Sequence, residues 1–459
     1  MQILALRLGV TTGKHLAEIC RENYAPWVKN LLWFMTELAI IGSDIQEVIG
    51  SAIAFKLLFG LPLWAGCLIT GFDTFTFLIL HAFGVRKLEA FFAVLIGTMA
   101  VCFCVDFAYV KPGAAQIFGG FEPYVSDYAV VQAVSIVGAV IMPHNIYLHS
   151  ALVQSRHIDR NRRSKIAEAN LYFSIEAAIS LFISFLINLA VVSVFAKGFF
   201  RPDCAQDGKA WVEHLQMCDN IGLEEAGESL EGLLGSAAAK IWGIGLLAAG
   251  QSSVMTGTFA GQYVMEGFWK IQLPQWKRVI VTRSIALIPA LLVSILAQTG
   301  SGDTLDEWLN VLQSVQLPFA LLPVLHFTSS KRIMGEFANG PWLKIFVSTI
   351  SVGVLGINMY LIITSVTDPD NGLPQSWWIF LLLSVFLIVY VVFIFCIIRN
   401  DIIHLRDYIY YKIGRNTEYI EKADQYDQPD KHSEEWNKQT LDSIVSPVQS
   451  LHDSHFTSL

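Results

Sequence analysis

The chain has 459 residues, 54% hydrophobic and only 15% charged, with a mean hydropathy of +0.49. Soluble domains carry about 25% charged residues, so this composition excludes an ordinary soluble protein and places much of the chain in lipid. The formal net charge of −8 collects in residues 198–234 and 400–459, leaving the apolar remainder slightly basic, with no sign of nucleic-acid binding.

A membrane span needs about 20 mostly apolar residues. Roughly ten stretches qualify, centred near residues 44, 72, 98, 139, 184, 246, 289, 317, 353 and 388. The opening run Ile3–Val10 is too short for a signal peptide and is interrupted by Arg7. Basic segments fall on alternate sides of the counted spans: Arg7 to Lys29, Arg86 and Lys87, Arg156–Lys165, Lys270 to Arg278, and Lys331 with Arg332. Acidic loops fall on the other side: Asp203 to Glu231, Asp303 to Glu307, and Asp368 with Asp370. The positive-inside rule then puts the basic loops and the C-terminus in the cytoplasm.

The first span, ELAIIGSDIQEVIG, carries Glu37, Asp44 and Glu47. Acids inside a membrane helix are expensive and point to function. At about 100° per residue all three share one face, as a proton relay or cation pathway requires. Glu37 also fits a position at the membrane interface.

The fourth span contains GAVIMPHNIYLHS, Gly138–Ser150. Pro143 removes a backbone donor and frees the carbonyl of Ala139. In lipid such a break is tolerated where it is buried or lines a cavity, and transporters place ion sites there. Met142 offers a thioether, which suits transition metals over Ca²⁺ or Mg²⁺. His144 and His149 have the chemistry of proton carriers. A proline kink with Met142 as core filler fits the same residues, although two histidines and Asn145 in one apolar span weigh against it.

Cys204 and Cys218 share the polar loop 198–234, and a disulfide between them is expected if that loop is extracytoplasmic. Arg283 opens a later span, where it either pairs with an intramembrane acid or anchors the interface. Asn310, Gln313 and Gln316 enter an apolar span in NVLQSVQLP; hydrogen bonding between helices accounts for the two glutamines. Residues 400–459 are polar and acidic and read as a disordered cytoplasmic tail. No GxxxxGKS loop, HExxH spacing, CxxC pair or nucleophile–base pair is present, so neither an ATP-driven pump nor an enzyme is indicated.

Together these motifs resemble the NRAMP family of proton-coupled divalent metal transporters. The resemblance runs through RLGVTTGKHLAE (Arg7–Glu18), ELAIIGSDIQEVIGSAIA (Glu37–Ala54), Ala139–Ser150, GTFAGQYVMEGF (Gly257–Phe268), TRSIALIPAL (Thr282–Leu291) and NVLQSVQLPFALLPVL (Asn310–Leu325). It covers residues 1–399, the expected transporter domain. It implies an all-α, polytopic membrane protein with a LeuT-like inverted-repeat fold. It also implies a metal site with Met142, the Ala139 carbonyl and the Asn310 amide, and a proton network of Glu37, Asp44, Glu47, His144, His149 and Arg283.

One departure stands out. The family's first helix carries Asp-Pro-Gly-Asn, and no such segment occurs here; Met1–Val10 resembles the end of the family's second helix. The fold is thus expected to lack its first helix and part of its second. Two functional expectations follow. One is symport of protons with divalent metals such as Fe²⁺ and Mn²⁺ toward the cytosol, across a plasma or endosomal/lysosomal membrane. The other is a shortened, non-transporting chain that regulates a full-length transporter. A carrier of organic cations or amino acids is disfavoured by Met142. The metal is substrate, and no other cofactor is expected.

Overall fold

The computed structural model describes residues 1–82, 85–122, 136, 138–205, 210–212, 217–219, 222–270, 275–296, 302–367 and 377–412. The described chain is almost entirely helical. Helices α1 (Gln2–Thr12), α2 (Leu16–Asn23), α3 (Pro26–Phe59), α4 (Leu63–Ala82), α5 (Val85–Val110) and α6 (Ala114–Gly119) come first. Helices α7 (Pro143–Leu152), α8 (Arg163–Phe199) and α9 (Pro202–Ala205) follow. Strands β1 (Ala210–Val212) and β2 (Met217–Asp219) pair antiparallel, with Trp211 opposite Cys218. Next come α10 (Leu223–Leu234), α11 (Ser236–Trp269), α12 (Gln275–Leu296), α13 (Gly302–Gln316) and α14 (Pro318–Ser329). The chain closes with α15 (Lys331–Met334), α16 (Pro341–Thr367) and α17 (Trp377–Lys412).

Among the described residues, six helical stretches are long and apolar enough to cross a membrane: Pro26–Phe59, Glu89–Val110, Arg163–Phe199, Leu309–Ser329, Pro341–Tyr360 and Phe380–Ile397. Helices also run over the expected spans near residues 72 and 289, as α4 and α12, but many of their side chains lie outside the described residues. The other two expected spans differ for physical reasons. The span near residue 139 is broken in two. Helix α11 is long enough at 34 residues but carries Gln251, Ser252, Ser253, Thr256 and Thr258 along its length. The apolar window of α3 is 67% buried, whereas that of α8 is 17% buried. Leu171, Phe182, Leu186 and other large apolar side chains of α8 are exposed, as a lipid-facing helix requires.

The centre of the fold is the pair α3 and α11. Gly243, Gly250 and Gly257 of α11 recur every seven residues and lie against Leu58, Ser51 and Asp44 of α3, which recur every seven in the opposite direction. The helices are therefore antiparallel in a constant heptad register. A Cβ at Gly243 would sit 3.1 Å from Leu58, and one at Gly250 would collide with the Ser51 hydroxyl. Without a hydrophobic drive between helices in lipid, this small-residue seam provides close van der Waals contact.

Prolines place the bends, and buried side chains satisfy the carbonyls they free. Pro318 has no N–H for the carbonyl of Ser314, and Asn358 of α16 donates Nδ2 to that oxygen at 2.6 Å. Pro323 likewise frees Phe319, whose carbonyl accepts the Tyr147 hydroxyl of α7 at 3.1 Å. On the basic side, Arg7 donates to Asn339 Oδ1 at 2.8 Å and to the Phe337 carbonyl at 2.7 Å. Arg160 donates to the Val10 carbonyl at 3.1 Å, and Arg163 pairs with Glu336 at 2.6 Å.

The loop 198–234 holds α9, β1, β2 and α10. Cys204 is disulfide-bonded, while Cys20, Cys67, Cys102, Cys104 and Cys396 are free. Cys218, the expected partner, lies on β2, where side chains fall outside the described residues. Helix α17 continues to Lys412, past residue 400, where the sequence places the start of the polar tail. Residues 413–459, the loop with Asp368 and Asp370, and the side chains of Asp303, Asp306 and Glu307 also lie outside the described residues.

Tyr147→Phe removes the hydroxyl that satisfies Phe319 and that also adjoins Cys20 and Thr36. It should lower stability by about 1–3 kcal/mol, the cost of a buried acceptor left unpaired. Thermal unfolding of the detergent-purified protein checks this; an unchanged midpoint would show that the carbonyl has another partner.

Candidate metal site and intramembrane polar network

The break in the fourth span falls at the predicted place. Residues 138–140 are helical, Ile141 and Met142 are not, and α7 begins at Pro143. Met142 is the N-cap of α7, with extended backbone at φ −71° and ψ 126°. The residues before the break are pinned by Gly138, where an added Cβ would collide with Ser314 of α13. Pro143 has no N–H for the Ala139 carbonyl. Unlike the carbonyls of Ser314 and Phe319, this one receives no side-chain donor among the described residues.

The Met142 sulfur points to α3. The Ser43 hydroxyl lies 3.8 Å from Sδ and donates to Glu47 Oε1 at 2.8 Å. Ser253 of α11 donates to the same carboxylate oxygen at 2.9 Å. Asp44 is 2% exposed. Both acids border the bare backbone of Gly257: a Cβ there would collide with Asp44 Oδ1 and lie 3.5 Å from Glu47 Oε2. Asp44 and Glu47 thus both face Gly257 of α11, in agreement with the one-face reading, and Glu47 is linked to Met142 through Ser43.

Glu37 stands apart. It is two turns back along α3, about 10 Å by helical rise, and accepts a 3.1 Å bond from Trp33 Nε1. It shares the helix face with Asp44 without joining the Ser43–Glu47–Ser253 cluster. His144, the second residue of α7, is 1% exposed, and its Nδ1 has no hydrogen-bond partner among the described residues. His149 Nε2 is likewise without one. His149 lines a cavity of about 570 Å³ together with Glu89, Glu176, Ser252, Thr256 and Tyr263. Arg283 lies in α12, but its side chain is outside the described residues.

Asn310 of α13 reaches α3 through Gln46, whose Nε2 donates to Asn310 Oδ1 at 2.9 Å. Gln313 Nε2 in turn donates to Gln46 Oε1. Sequence reasoning assigned Gln313 to helix–helix bonding, which it makes. It passed over Ser43, Gln46, Ser253 and Gly257. Ser43 and Gln46 sit four and one residues before Glu47, so the face that Ser43 shares with the acid was a usable signal.

This arrangement joins soft and hard donors at a broken membrane helix, with carboxylates one hydroxyl away. The comparisons with known proteins agree with it. The profile of the family described as "Natural resistance-associated macrophage protein-like" matches residues 1–364. The chain belongs to the Nramp family of metal transporters. It is 51% identical over 389 residues to the "Metal transporter nramp1 homolog" of Dictyostelium discoideum, covering 84% of this chain and 69% of that protein. It is 48% identical over 416 residues to "Metal transporter Nramp2" of Oryza sativa subsp. japonica, covering 88% and 76%. The crystal structure of the Eremococcus coleocola manganese transporter in complex with an aromatic bis-isothiourea substituted compound superposes with a TM-score of 0.73 at 32% identity, covering 88% of this chain and 85% of that one. The fold is accordingly the all-α, LeuT-like fold of a multi-pass membrane protein. Nramp members are transporters rather than enzymes.

Gly257→Ala would push a methyl into Asp44 and should cost about 1–3 kcal/mol, the usual range for overpacking. Gly353→Ala, where a Cβ meets nothing within 4 Å, serves as the control and should be neutral to slightly stabilising, by up to about 1 kcal/mol from helix propensity. Paired thermal melts decide; equal midpoints for the two variants would mean that the seam yields at Asp44.

Proposed function

We propose that the chain carries divalent transition metals, Fe²⁺ and Mn²⁺ among them, toward the cytosol in symport with protons. The observation that carries this reading is Met142. Its thioether sits at an unwound turn, beside a carbonyl freed by Pro143, and contacts a serine that is bonded to a buried carboxylate. A soft sulfur with oxygen donors favours first-row metals over Ca²⁺, which binds through oxygen alone. The names of relatives as metal transporters, and of a structural neighbour as a manganese transporter, support the substrate class.

In this reading Met142, the Ala139 carbonyl and Asn310 hold the metal. Asp44 and Glu47 take up protons next to it, with Glu37, His144, His149 and Arg283 extending the route. The buried acids on α3 support proton coupling, because an ionised carboxylate deep in a bilayer is costly unless it is paired or protonated. The basic loops assign the cytosolic side. An inside-negative potential then drives a divalent cation inward by about 4.6 kcal/mol per 100 mV, twice the single-charge value. Neither the geometry nor the family match favours a non-transporting regulator or an organic substrate.

Proteoliposomes loaded with metal- and pH-sensitive dyes test both parts. Met142→Ala should lower Cd²⁺ uptake relative to Ca²⁺ by about tenfold, on the scale of a lost metal contact. An unchanged Cd²⁺/Ca²⁺ ratio would remove Met142 from the site. Metal uptake without acidification of the lumen would refute the proton coupling.

A further inference from the structure

We propose that Gln46 is a positioning residue that fixes which end of the Asn310 amide faces the metal site, and that it thereby sets the preference for metals that need oxygen donors. The inference rests on the reading of Asn310 as a site residue.

An amide side chain has a donor end and an acceptor end of nearly equal shape, so its orientation is decided by its partners. Asn310 acts as an acceptor toward α3, because Gln46 Nε2 donates to its Oδ1 at 2.9 Å. The orientation of Gln46 is decided in turn by Gln313 Nε2, which donates to Gln46 Oε1. Gln313 is 0% exposed, so water does not compete for it. The three amides therefore run in one sense, from Gln313 to Gln46 to Asn310. Reversing Asn310 alone would set its NH₂ against the NH₂ of Gln46.

The consequence lies in where that oxygen is held. Ser43 neighbours Gln46 three residues on and Glu47 four residues on, so it lies between the two around α3. Ser43 contacts the Met142 sulfur at 3.8 Å. The amide chain thus holds Asn310 with its oxygen, not its NH₂, toward Gln46, which lies one helical turn from the serine that contacts Met142. A carbonyl oxygen has two lone pairs, so it can accept from Gln46 and still offer one to a cation. Released from Gln46, the amide can turn and present N–H donors, which repel a cation. Mn²⁺ relies on oxygen donors, whereas softer Cd²⁺ draws more on sulfur.

The test is a double-mutant cycle on uptake by the full chain in proteoliposomes. Gln46→Met keeps the side-chain length and removes the hydrogen bonds to Asn310 and from Gln313. It should raise the KM for Mn²⁺ by about tenfold, as loss of a group orienting a metal ligand does, with a smaller effect on Cd²⁺ and little on kcat. In an Asn310→Asp background the same substitution should change the Mn²⁺ KM by less than about twofold, because a carboxylate presents oxygen at either end and the coupling is lost. Equal effects of Gln46→Met in the two backgrounds would show that Gln46 only supports the helix packing, and would overturn the proposal. Asn310→Ala separates the two layers. If it leaves the Mn²⁺ KM unchanged, the site reading of Asn310 falls and takes the relay with it. If it raises KM while Gln46→Met does not, the relay alone is refuted.

Discussion

The close approach of α3 and α11 is the constraint on which the rest of the structure depends. Three glycines at heptad spacing strip one side of α11 of side chains where α3 presents Asp44, Ser51 and Leu58. Two acids on a membrane helix would otherwise meet lipid or a wall of apolar side chains, at a cost of about 2.5–3.5 kcal/mol each at mid-bilayer. Here they meet bare backbone, and Glu47 accepts hydroxyl donors from both helices, Ser43 on one and Ser253 on the other. The same seam that holds the helices together therefore makes the carboxylates tolerable and keeps them aimed inward.

Prolines divide the broken helices into those that are structural and the one that carries the site. All three of Pro143, Pro318 and Pro323 free a carbonyl four residues earlier. The carbonyls of Ser314 and Phe319 are closed off by Asn358 and Tyr147. The carbonyl of Ala139 has no such side-chain donor among the described residues. Ala139 itself is half-buried, so this carbonyl is left open at the edge of the break. Among these three, the position without a side-chain donor is distinguished by the thioether beside it; Pro289 inside α12 is a fourth helix-borne proline, outside this comparison.

Much of this was legible in the sequence because it is local. Pro143 breaks its helix wherever it is buried, and Asp44 and Glu47 share a face by helical geometry alone. That Cys204 is disulfide-bonded fits its place in a polar loop with a second cysteine, Cys218, whose side chain lies outside the described residues. What stayed hidden is the choice of partners. Gln46 and Asn310 are 264 residues apart in the chain, and no local rule pairs them. Glu37 shares the acid face yet pairs with Trp33, because a face is a direction and not a contact. The seven-residue spacing of Gly243, Gly250 and Gly257 was present in the sequence, but it acquires meaning only once α3 supplies the facing residues. The same holds for α11 as a whole: its polar residues lower its hydropathy, and the fold uses them inside the protein, with Gln251 and Thr258 buried, Ser253 bonded to Glu47, and Ser252 and Thr256 lining the cavity with His149.

The two halves of the proposed function meet at one hydroxyl. Ser43 lies between the Met142 sulfur and the Glu47 carboxylate, and a hydroxyl has a single proton to donate. While Glu47 is ionised it is much the stronger acceptor, so the proton goes there and the sulfur lone pairs remain available to a cation. A protonated Glu47 becomes a donor itself, and Ser43 is then released to turn its proton toward the sulfur. On the proposed reading, proton occupancy of the acid and availability of the soft ligand vary in opposite senses through a contact of one side chain. Metal binding at Met142 is then sensitive to the protonation of Glu47 by this short path, without any movement of the helices.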